Sequence, residues 1–64
     1  MNYSKAIKDL RNKMLLTQTE FAKTIGTSFG SVNRWENGKY IPTMKMKRKL
    51  DYLFKKYHVK IEEN

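Results

Sequence analysis

Apolar residues recur along this chain at intervals of three and four, the spacing that lines up one face of an α-helix. Tyr3, Ile7, Leu10 and Met14 form the first stripe, with Lys5, Lys8, Asp9 and Lys13 between them, and predict an amphipathic helix over about 4–14. Thr17-Gln18-Thr19-Glu20 follows. In that spacing the threonine hydroxyl and the glutamate carboxylate each satisfy a backbone N–H at a helix start, so a second helix is predicted over 18–25. Phe21, Ala22 and Ile25 are its apolar stripe, and Gly26 is its left-handed stop. Ser28 can cap a third helix over 29–37, in which Val32 and Trp35 face inward and Asn37-Gly38 end the run. Lys39-Tyr40-Ile41-Pro42 reads as an extended loop, because the residue before a proline is pushed out of the helical region. Thr43 caps a last helix over 44–57, where Met46, Leu50, Leu53 and Tyr57 recur at i, i+4, i+7 and i+11.

The expected fold is therefore all-α, a compact bundle of four to five helices forming one domain over residues 1–58. Beyond it, the alternation Val59-Lys60-Ile61-Glu62 within the 59–64 tail reads as a short strand, as disordered chain or as a back-folded tail.

At 64 residues the chain can support one core, burying about 60% of its unfolded surface. It has no cysteine and a single histidine, His58, which excludes disulfides, thiolate metal sites and a zinc site of its own. No metal and no cofactor is expected. An enzyme is not expected either: a substrate cleft needs convergent walls that so small a core rarely spares, and neither Ser28 nor Ser31 has a histidine neighbour in sequence. No apolar run approaches the roughly 20 residues of a membrane span, and Met1-Asn2-Tyr3-Ser4 lacks the apolar run of a signal peptide, so the expected location is cytoplasmic.

Charge narrows the choice of partner. Fourteen Lys and Arg against six Asp and Glu leave a formal +8, which suits a polyanion, either nucleic acid or an anionic membrane surface. The basic amphipathic stretch from Thr43 to Tyr57 could serve a membrane, but its apolar stripe is the only cover available for the three other helices. Two short helices joined through Gly26-Thr27-Ser28 make a unit from which the second helix can project. With Val32 and Trp35 turned inward, Phe29, Gly30, Asn33 and Arg34 occupy the opposite face and are free to enter a groove.

Leu16-Thr17-Gln18-Thr19-Glu20-Phe21-Ala22, then Gly26-Thr27-Ser28, then Val32-Asn33-Arg34-Trp35-Glu36-Asn37-Gly38-Lys39 with Pro42, resemble the phage repressor, Cro and Xre-like helix-turn-helix family, over about Ile7 to Leu53. The resemblance implies that the third helix is a recognition helix lying in the major groove of double-stranded DNA. Chemistry agrees with base readout by Phe29, Gly30, Asn33 and Arg34: the arginine fork matches guanine O6 and N7, the asparagine amide matches adenine, and the phenylalanine suits a thymine methyl. Gly30 departs from the larger polar residue common there and allows closer backbone approach.

Phosphate contacts are expected at Gln18, on a helix N-terminus, at Ser28, and at Asn37 and Lys39 beyond the recognition helix. Lys45 and Arg48 are weaker phosphate candidates, better read as a solvated basic face, while Trp35 reads as core and His58 as a solvated helix end. Arg11 and Glu36 match positions that the family joins by an ion pair, which fixes geometry more than it adds stability.

The implied function is sequence-specific DNA binding by a transcriptional regulator of the repressor kind, with no small-molecule substrate. The alternatives are a protein-interaction adaptor or antitoxin-like module, or the DNA-targeting front domain of a larger protein. A homodimer is also implied, weak when free and stronger on DNA, and its surface is expected at Phe54, Val59 and Ile61.

Overall fold

A computed structural model describes residues 2–61, which form α1 (Tyr3–Lys13), α2 (Gln18–Ile25), α3 (Phe29–Glu36) and α4 (Met44–Lys56). Each helix starts on a polar side chain that accepts a backbone N–H the first turn leaves unpaired: Asn2 from Lys5, Thr17 from Glu20, Ser28 from Ser31 and Thr43 from Met46. At α2 the capping box closes fully, since Glu20 also accepts the Thr17 N–H at 2.9 Å. That bond holds the Glu20 carboxyl below its ordinary pKa. The contribution of the box is therefore present above the ordinary carboxylate range and is lost as pH falls through the lowered value.

The helix ends share one geometry. The residue after the last turn is left-handed, at Leu15, Gly26, Gly38 and His58, with φ of 59°, 80°, 74° and 58°. The N–H that follows it reaches back five residues: Leu16 to the Arg11 carbonyl, Thr27 to Ala22, Lys39 to Arg34, and Val59 to Phe54. Glycine takes this conformation freely, whereas Leu15 and His58 take it against the clash of their Cβ. Leu15 is also 89% exposed, so no burial offsets its strain. Leu15→Gly is expected to raise stability by about 0.5–1 kcal/mol, read as a higher urea midpoint at unchanged slope; an unchanged or lower midpoint would show the turn to be unstrained.

All four helices contribute to one core: Ala6, Ile7 and Leu10; Phe21, Ala22 and Ile25; Val32 and Trp35; Met46, Leu50 and Phe54. The α3 helix packs on both α1 and α2, and α4 closes the bundle against α1. Along α4 the buried row is Met46, Leu50 and Phe54, at i, i+4 and i+8, while Leu53 and Tyr57 lie half-buried at its edge. No helix among the described residues is long and apolar enough to cross a membrane.

The surface expected for a dimer is used within the chain. Phe54 is 2% exposed, with its ring 6.5 Å from that of Tyr3, and Val59 and Ile61 fold back against the core. The Val59 N–H bonds the Phe54 carbonyl at 2.8 Å, and Lys13 donates from α1 to the carbonyls of Tyr57 and His58. Residues 59–61 are irregular backbone rather than strand, with Val59 and Ile61 half-buried at the bundle's apolar edge. Glu62 and the remainder of the tail lie outside the described residues.

Candidate nucleic-acid interface

The third helix is held at its C-terminus by a buried ion pair. Arg11 Nε donates to Glu36 Oε2 at 2.7 Å, Nη2 donates to Oε1 at 3.0 Å, and Nη1 donates to the Leu16 carbonyl at 3.1 Å. The two hydrogen bonds form a planar fork on the carboxylate, the geometry that gives arginine pairs their directional strength. The Glu36 side chain keeps only 2% of its accessibility, and its hydrogen bonds to Arg11 raise the guanidinium pKa above its ordinary value. Ser4 adds a bond from its hydroxyl to the Glu36 backbone carbonyl. The last turn of α3 is thereby pinned to α1.

From Glu36 a row of side-chain amides runs outward. Gln18 Nε2 donates to Glu36 Oε1 at 3.1 Å, Asn33 Nδ2 donates to Gln18 Oε1 at 3.2 Å, and Asn37 Nδ2 donates to Asn33 Oδ1 at 3.1 Å. Gln18, Asn33 and Asn37, expected to touch phosphate or base separately, are thus one connected unit. Each amide atom of Asn33 retains one further hydrogen-bonding position, and the plane of the group is fixed before any ligand arrives. The network depends on Gln18 standing at the first turn of α2, where Thr17 has set the helix start.

The outward face of α3 carries the remaining candidates. Phe29, its first residue, is 51% exposed, and Arg34 is exposed one turn further on. Gly30 lies between them; a Cβ added there would meet only the Ser28 hydroxyl, at 3.8 Å, so nothing inside the protein requires a glycine. Ser28 caps the helix by accepting the Ser31 N–H, and its hydroxyl donates to that of Ser31. Lys39 is exposed past the helix end, with its backbone N–H bonded to the Arg34 carbonyl at 2.9 Å.

A helix-turn-helix family model matches residues 7–51, from the middle of α1 into α4. The chain belongs to this family. Its members are DNA-binding helix-turn-helix regulators of the Xre and Cro-like kind, generally non-enzymatic. No curated protein and no solved structure matches the chain.

This helix-turn-helix domain also has a concavity that no sequence motif marks. It measures about 420 Å³ and lies between the turn, the exposed side of α3 and α4, lined among others by Thr27, Ser31, Arg34, Tyr40, Lys45 and Lys49. On its walls Thr27, Ser31, Lys45 and Lys49 supply hydroxyl and ammonium donors, the set that suits phosphate oxygens. Lys49 Nζ donates to the Ile25 carbonyl at 3.2 Å, so one cation of this wall also closes the C-terminus of α2. Tyr40 enters through the loop after α3, and its ring lies under the Arg34 guanidinium, 5.6 Å from centroid to Cζ. Periodicity could not reveal Tyr40, because a loop residue belongs to no apolar stripe. Lys45, read from sequence as a solvated face, borders the same hollow as the recognition helix.

Proposed function

We propose that this domain binds double-stranded DNA in a sequence-specific manner, with α3 in the major groove, and acts as a transcriptional repressor in the cytoplasm. The observation that carries the reading is the division of labour on α3. Val32, Trp35 and Glu36 are buried and fix the helix, while Phe29, Gly30 and Arg34 have no interior role. Arg34 reads guanine through its two-pronged fork, and Phe29 packs on a thymine methyl, with Gly30 leaving clearance for the groove wall. Asn33 is held by Gln18 and Asn37, and its spare hydrogen-bonding positions are assigned to the bases.

Gln18, Ser28, Asn37 and Lys39 take phosphates, joined by Lys45 from the concavity. Occupying a site excludes other proteins from it, which makes repression the outcome that binding alone supplies. One short helix reads too few base pairs for a unique site, so two copies on half-sites roughly 34 Å apart complete the reading, associating weakly off DNA.

A salt titration tests this. Each neutralised phosphate contributes about 0.9 to the slope of log K against log salt, so Lys39→Ala and Lys45→Ala are each expected to reduce the slope by about 0.9 and to weaken all duplexes alike. Affinity independent of salt, or preference for anionic vesicles over duplex, would contradict the proposal.

A further inference from the structure

Arg34 projects from the exposed face of α3, and among the described residues no carboxylate pairs with it. A long side chain in water samples many rotamers, and ordering it on a base edge costs affinity that a held side chain does not lose. The ring of Tyr40 is the group that holds it, with the guanidinium carbon 5.6 Å from the centroid. Tyr40 is 62% exposed and is not part of the core, so packing does not account for an aromatic residue there.

Its position follows from the way α3 ends. Gly38 turns left-handed with φ 74°, and the Lys39 N–H then bonds the carbonyl of Arg34 itself. The loop carrying Tyr40 is therefore hinged on the residue whose side chain the ring supports. Two residues further on, buried Pro42 fixes where the loop leaves.

We propose that Tyr40 is a specificity-determining positioning residue, whose ring holds the Arg34 guanidinium extended for two-pronged contact with guanine. This rests on Arg34 reading a base, and the test separates the two claims.

Arg34→Ala, Tyr40→Leu, Tyr40→Phe and the Arg34→Ala/Tyr40→Leu pair are titrated against a duplex selected by the unaltered protein and against a random duplex. Tyr40→Leu is expected to lower the selected-to-random affinity ratio by about 2- to 5-fold at unchanged random affinity, while Tyr40→Phe retains the ratio. In the Arg34→Ala background, Tyr40→Leu adds nothing. In the free protein, the Arg34 Hδ resonances carry a ring-current shift that Tyr40→Leu abolishes and Tyr40→Phe keeps. If Arg34→Ala collapses the ratio but Tyr40→Leu leaves it intact, or weakens both duplexes equally, the positioning role is overturned and the base contact stands. Equal losses for Tyr40→Phe and Tyr40→Leu also overturn it, since the hydroxyl would then be the active group. A ratio unchanged by Arg34→Ala overturns the base contact, and the proposal with it.

Discussion

Arg11→Ala is expected to remove about 3 kcal/mol of folding free energy, enough to unfold a large fraction of so small a domain at physiological temperature. The alanine leaves the Glu36 carboxylate, whose side chain is 2% accessible, facing a void with Gln18 as its remaining side-chain donor. Breaking a buried pair from one side costs about 3–5 kcal/mol, and the lower end applies because Arg11 keeps 17% of its accessibility and water can enter. Arg11→Met should cost less, since its stem fills much of the volume, and combining it with Glu36→Gln should recover most of the loss by removing the stranded charge. Urea melts of the three variants give the ranking. Small and near-identical losses would mean that the pair contributes little to the fold.

Arg34→Ala is expected to weaken binding to a selected duplex by about 5- to 150-fold, the equivalent of about 1–3 kcal/mol, and to relax preference at one base position. Affinity for random duplex should change little, because phosphate contacts remain with the side chains around Lys39 and the concavity. Lys39→Ala is the contrasting variant: it lowers affinity on every sequence and leaves the ranking of sequences intact. Equal losses on cognate and random duplex for Arg34→Ala would make it a phosphate contact instead.

The parts of the fold written in local chemistry were legible from sequence. The limits of α2 follow from Thr17-x-x-Glu20 and Gly26, and both ends matched, because caps act within one turn of the residues that make them. The start of α1 was placed one residue late. Asn2 is a good cap, but it precedes an apolar residue at the chain's beginning, where the periodic pattern has no earlier turn to reveal the boundary. The ends at Leu15 and His58 use a left-handed residue without glycine, so composition gives no sign of the strain.

Phe54 was misplaced for a geometric reason. Stripes spaced at i+4 and at i+7 both fit one helical face, and only packing against Tyr3 and α1 shows that the i+8 residue points to the centre. The joining of Arg11 to Glu36 crosses 25 positions and was accessible only through family resemblance. The amide row and the Arg34–Tyr40 contact depend on how α2, α3 and the following loop meet, which no local spacing encodes.

Recognition through α3 is tested by selection of duplexes from a random pool, followed by titration of the isotope-labelled domain with the enriched sequence. Enrichment of a motif containing guanine is expected. Amide and side-chain resonances should shift at Thr17 and Gln18, from Ser28 to Arg34, and from Asn37 to Lys45, while Lys5, Lys8 and Lys13 on α1 stay in place. A pool that yields no motif, or shifts concentrated on the basic residues of α1, would contradict recognition through α3.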